Sequence, residues 1–148
     1  MDWINIYGFV FMLFIMIPNI IFTLKNKDGF QSLWNNKIIK VFEQIGRFGC
    51  FGFMILIIPG FGFGFSSDEF FSLYLILNTV LIVAYCLIWF ICFKKNSTFR
   101  ALALSIIPSV IFLTSGILSR YILLIVTAII FAPCHVIISY KNAVLETK

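Results

Sequence analysis

Phe42-Glu43-Gln44-Ile45-Gly46-Arg47-Phe48-Gly49-Cys50 opens the second long apolar run of the chain and sets two opposite charges inside it. A charge at membrane depth costs from a few kcal/mol on insertion scales to about 10 or more in simulations, so such residues face a bundle interior and find partners. Glu43 and Arg47 stand one helical turn apart and are able to neutralise each other. The stretch is therefore read as the start of a membrane span, about residues 38–58. Its polar face carries Glu43, Gly46, Arg47, Cys50 and Met54, while Gly49 and Gly52 lie on other faces, where they let neighbouring backbones approach.

The rest of the chain agrees with a lipid setting. Of its 148 residues 61% are hydrophobic and 11% charged, against roughly 25% charged in soluble domains. Its mean hydropathy is +1.07. A helical span needs about 20 mostly apolar residues, and the charged clusters leave room for five, at about 3–24, 38–58, 70–93, 100–116 and 121–140. These make one all-α, multi-pass transmembrane domain over residues 1–148. The first run is too long for a signal-peptide core and lacks a small-residue cleavage site, so it counts as a span. The net charge of +5 is spread over loops, which marks topology; a nucleic-acid partner would need a clustered basic face. Cys50, Cys86, Cys92 and Cys134 all fall in apolar runs without a C-x-x-C pair, which points to neither a disulfide framework nor a redox pair.

Polar residues recur at helical spacing along most spans: Asn5, Gly8, Met12, Asn19 and Thr23 on the first; Tyr74, Asn78, Tyr85, Trp89 and Cys92 on the third; Ala101, Ser105 and Ser109 on the fourth; Tyr121, Ala128, Ala132, His135 and Ser139 on the fifth. Each stripe should face the bundle interior. Pro18 and Pro133 each free a carbonyl that a neighbour must satisfy. Asp28-Gly29 reads as a turn and Asn35-Asn36 as a helix start, and Ser66-Ser67-Asp68-Glu69 as the cap and acidic first turn of the third span. The Phe/Gly alternation over residues 59–65 fits an interfacial loop. Lys141 to Lys148 is a tail too short to fold alone.

Cytoplasmic loops are enriched in Lys and Arg. With the first connection, the third and the tail inside, nine of the eleven basic residues lie there, as four, three and two. Treating the second span as a re-entrant loop would put Lys94, Lys95 and Arg100 opposite the first basic loop. The expected topology is five spans, N-terminus outside and C-terminus inside.

In that frame Asn19, Glu43, Arg47 and His135 reach a similar depth, roughly 5 to 10 Å beyond the inner boundary at 1.5 Å per residue, with Ser105, Trp89 and Cys92 near enough to line a shared cluster. Two readings stay open. In one, Glu43 and Arg47 pair, and Asn19 and His135 satisfy the backbone freed at Pro18 and Pro133. In the other, the four residues form a ligand-binding or proton-handling site open to the cytoplasm, with an anionic group held by Arg47. Asn78 reads as an interhelical hydrogen bond and Asp68-Glu69 as a helix start rather than a calcium site. One histidine without a cysteine cluster argues against zinc, and no metal, cofactor or catalytic set is expected.

The segments FEQIGRFGCFGFMI, ALSIIPSVIFLTSGI and IIFAPCHVIISYKN resemble small multi-span membrane proteins of bacteria with AT-rich genomes. That resemblance implies a bacterial inner (cell) membrane and carries no site residues. The unpaired cysteines separate the chain from quinone-linked thiol oxidases of similar size. The expected function is a non-enzymatic protein that binds a ligand or helps transport it across the membrane, as a homo-oligomer or as a subunit of a larger membrane assembly. Two alternatives stand beside it. One is an intramembrane enzyme on a lipid or isoprenoid phosphate, with Glu43 or His135 as acid/base and Arg47 on the phosphate. The other is a structural or immunity-type protein.

Overall fold

The structure, a computed structural model, describes residues 3–26, 32–95 and 97–148. They form five helices: α1 (Ile6–Lys25), α2 (Lys37–Ile55), α3 (Asp68–Cys92), α4 (Thr98–Leu118) and α5 (Ile122–Glu146). Among the described residues there is no strand beyond two isolated bridges. Four helices, α1, α3, α4 and α5, are long and apolar enough to cross a membrane. α2 is set apart by the four charges it carries, Lys37, Lys40, Glu43 and Arg47. Lys27 and the expected Asp28-Gly29 turn lie outside the described residues.

Polar side chains cap the starts of four of the five helices. The side chains of Asn5, Asn36, Ser67 and Ser97 accept from the N–H groups of Gly8, Ile39, Phe70 and Arg100, satisfying donors that a first turn otherwise leaves open. Two expectations give way at the ends. Residues 3–5 and 56–58 are extended rather than helical, because Ile57 N–H donates to Trp3 O at 2.9 Å and Asn5 N–H to Ile55 O at 2.7 Å. The tail does not stand apart from the fifth helix: α5 continues to Glu146, since extending a formed helix avoids the cost of a new nucleus.

Neighbouring helices close a ring in the order α1, α3, α4, α5, α2 and back to α1. The chain reverses at each connection. One end gathers the start of α1, the end of α2 and the α4–α5 turn, tied by the Ile4–Leu56 and Gly62–Tyr121 bridges. The other, basic end carries Lys25, Lys37, Lys40, Lys94, Lys95, Arg100 and Lys141. The stripe read on the third span is buried in full: Tyr74, Asn78, Tyr85, Trp89 and Cys92. On α2, Glu43, Gly46, Cys50 and Met54 are buried. On α1 the stripe holds only at Gly8 and Met12, with Phe11, Ile15 and Phe22 completing the buried face and Thr23 exposed.

The crossing of α2 over α5 positions the site. A Cβ on Gly46 would lie 2.8 Å from the Phe131 Cα, so only a hydrogen fits between the two backbones there. Gly49 meets the Thr127 side chain on the same face of α5, whereas Gly52 has nothing within 4 Å and takes no part in a close approach.

Candidate functional site

Three of the four expected site residues meet. Glu43, 2% exposed, turns one carboxylate oxygen to two partners: Arg47 Nη2 donates to Oε1 from the next turn of α2, and His135 Nδ1 lies 3.0 Å from the same atom across the helix interface. A carboxylate oxygen only accepts, so Nδ1 carries the proton and Nε2 is left on the other side of the ring. The imidazole stacks on Phe131 with centroids 4.5 Å apart and planes 21° from parallel. Phe131 is the residue whose backbone Gly46 admits, so one glycine sets both the crossing and the depth of the histidine.

Arg47 and His135 also line a cavity of about 1490 Å³ that runs from mid-bundle to the basic end. Glu43 stands behind it, with 3% of its side chain exposed against 37% for Arg47. Among the described residues, the charged ones on the cavity wall are Lys25, Arg47, Lys94 and Arg100, opposed by Glu146. The apolar wall mixes aliphatic and aromatic side chains, the aromatic ones including Phe22, Phe51, Tyr85, Trp89, Phe112 and Phe131. Arg100 lies over the Phe22 ring at 5.4 Å and donates to the carbonyls of Cys92 and Phe93, tying α4 to the end of α3.

Asn19 lines the same cavity but bonds elsewhere: its Nδ2 donates to Tyr85 Oη at 2.7 Å and to Ile15 O at 2.8 Å. The expectation that Asn19 serves the carbonyl freed by Pro18 is corrected. That carbonyl belongs to Phe14, one turn back, and Cys86 Sγ of α3 approaches it at 3.9 Å. His135 likewise turns to Glu43 rather than to backbone near Pro133. Trp89 lines the cavity, while Ser105 is buried and donates to Leu102 O, and Cys92 is buried in the bundle. Asn78 makes the expected interhelical bond, accepting from Ser115 Oγ at 3.1 Å and donating to Tyr74 O at 2.9 Å. Among the described residues no three His, Cys, Asp or Glu side chains could jointly hold a metal ion.

Sequence reasoning passed over Tyr85, Lys94 and Arg100 as wall residues. Tyr85 stood on the polar stripe of the third span, and a phenol opposite an amide stripe on the first was the available signal. Lys94 and Arg100 were counted only for topology. Comparison of the chain with protein-family models, curated proteins and solved structures finds no match in any of the three.

Proposed function

We propose that this is a five-span membrane protein whose basic-end cavity binds an anionic ligand with an apolar body and helps move it across the bilayer. The observation that carries this reading is the wall: among the described residues, four cationic side chains and one anionic one surround a space lined mostly by apolar side chains, seven of them aromatic. Glu43 holds Arg47 and His135 from behind and leaves their other faces to the cavity. A purely structural pair would gain nothing from lining a void, and a charge in lipid is too costly to stand idle. At about 1490 Å³ the space exceeds the roughly 300–1,000 Å³ of most small-molecule pockets, which favours an amphiphile such as a lipid or isoprenoid phosphate over a small inorganic anion.

α2 is taken as the fifth span. Its 19 residues reach roughly 28 Å at 1.5 Å each, close to the hydrocarbon thickness of about 30 Å. Its end is bridged to the start of α1, and just before its start Trp34 N–H bonds Asn142 near the end of α5. Of its four charges, Glu43 and Arg47 pair with each other, and Glu43 also meets His135. The N-terminus lies outside and the C-terminus inside, in a bacterial inner membrane, and an odd span count without two equal halves favours a homo-oligomer or a partner subunit.

A second reading, an enzyme on the same ligand class, draws on the Glu43–His135 bond, which orients the imidazole as a carboxylate orients a general base. Native mass spectrometry of protein gently purified from its own membrane separates the cases. Retention of an anionic amphiphile that is lost on Arg47→Gln supports binding. Retention unchanged by Arg47→Gln, or no retained anion at all, refutes it.

A further inference from the structure

A second cavity, of about 680 Å³, lies at the opposite, bridged end of the ring. Among the described residues it shares no wall residue with the basic cavity, and no charged side chain lines it. Its walls are aromatic: Trp3 and Tyr7 from the start of the chain, Phe53 from α2, Phe65 from the Phe/Gly loop, and Phe71 and Tyr74 from α3. The frame is held by backbone. Residues 3–5 pair with 55–57, Phe63 N–H donates to Arg120 O at 3.2 Å, and Ile122 N–H donates to Phe61 O at 3.0 Å. Gly60 and Gly64, at φ of 92° and 70°, adopt the left-handed backbone that turns the loop over this end.

One buried polar group in this frame has a donor to spare. Tyr74 is 1% exposed. Its oxygen accepts from Asn5 Nδ2 at 3.3 Å, and among the described residues nothing accepts its proton. Of the other hydroxyls on the wall, that of Tyr7 belongs to a half-exposed side chain, and the rest are committed: Ser115 Oγ donates to Asn78, Ser119 Oγ to Ser115 O, and Tyr121 Oη to Leu56 O. A buried hydroxyl donor left unmet carries a desolvation penalty, and this one sits on the wall of an aromatic, uncharged space large enough for a drug-sized molecule.

We infer that the bridged-end cavity is a second binding site, for an uncharged apolar molecule that presents a carbonyl-type oxygen to the Tyr74 hydroxyl. The chemistry fits a quinone ring or the ester of a bilayer lipid. It does not fit the anion proposed for the basic end, because no cation lines it among the described residues. This inference stands independently of the function of the basic-end cavity.

The test uses the whole protein. In detergent micelles, decylubiquinone should quench tryptophan fluorescence saturably. The quench should fall sharply in Trp3→Phe, because Trp34 and Trp89 stand toward the other end. Tyr74→Phe should raise the half-saturating concentration about 3- to 10-fold, the effect of one net hydrogen bond, and Tyr85→Phe at the basic cavity should leave it unchanged. If the lipid ester is the true occupant, native mass spectrometry from phosphatidylcholine nanodiscs should find one phospholipid retained by the wild type and lost in Tyr74→Phe. Should Tyr74→Phe fail to fold, Ser119→Trp, which fills the cavity from its wall, has to abolish the quench or the lipid retention. Binding of either probe that is indifferent to these substitutions overturns the inference, as does the absence of both.

Discussion

Replacing Gly46 with alanine should loosen the α2–α5 crossing and the candidate site together. The added Cβ would lie 2.8 Å from the backbone of Phe131, where ordinary contact begins at 3.4 Å, so the two helices must part by 0.6 Å or more. Gly46 is three residues past Glu43, and Phe131 is four before His135. The same displacement carried to the Glu43–His135 bond, now 3.0 Å, takes it to roughly 3.6 Å, where it no longer counts as a hydrogen bond. Overpacking costs about 1 to 3 kcal/mol and a hydrogen bond to a charged group about 1.5 to 3, so a combined loss of about 2.5 to 6 kcal/mol is expected. Gly52→Ala is the matched control: its Cβ meets nothing within 4 Å, and alanine favours a helix by up to about 1 kcal/mol over glycine. Reversible unfolding of the micelle-bound protein with dodecyl sulfate, followed by circular dichroism, measures both. Gly46→Ala within about 0.5 kcal/mol of wild type, or Gly52→Ala the more damaging of the two, would refute the reasoning, taking that margin from ordinary surface substitutions.

Glu43→Gln and Arg47→Gln should each lower stability by up to about 3 to 5 kcal/mol, with Arg47 at the low end because it is partly hydrated, and the double variant should recover much of the loss; strictly additive losses in the same unfolding assay would contradict a shared ion pair. Ser115→Ala removes the bond from α4 to Asn78 and should cost about 0.6 to 2 kcal/mol, read as a shift in the unfolding midpoint; no shift would mean that the α3–α4 contact rests on packing alone. For topology, a cysteine at Ser67 should react with an impermeant thiol reagent from outside the cell and one at Ser97 only after permeabilisation. The reverse pattern would overturn the orientation of every element.

The parts of the fold legible in the sequence were those set by local periodicity. Tyr74, Asn78, Tyr85, Trp89 and Cys92 fall at helical spacing in an unbroken apolar run, and all of them are buried. Asn36 and Ser67 cap helices because short polar side chains before apolar runs satisfy first-turn N–H groups wherever the helix packs. What depends on which helix stands beside which was not legible. Asn19 finds Tyr85 66 positions away, and Cys86 approaches the Phe14 carbonyl 72 positions away; both require α1 to lie against α3 in the ring. The Glu43–Arg47 pair was readable because it sits within one helix. Its third member, His135, was reached only through an argument from depth. The extended pairing of residues 3–5 with 55–57 carried no sequence signal, since these residues continue the apolar runs on either side.

The backbone bridges that join the start of α1, the end of α2 and the α4–α5 turn have a mechanical consequence. They fasten the bundle at one rim, so any movement must grow with distance from that rim, as the free ends of tongs travel furthest from the pivot. A tilt of about 5° in a helix roughly 28 Å long, at 1.5 Å per residue, carries its far end about 2.5 Å. Such travel widens the basic mouth by nearly a hydrogen-bond length and hardly disturbs the aromatic chamber beside the pivot. The bridges thus brace one end of the molecule, and the charge sits at the other.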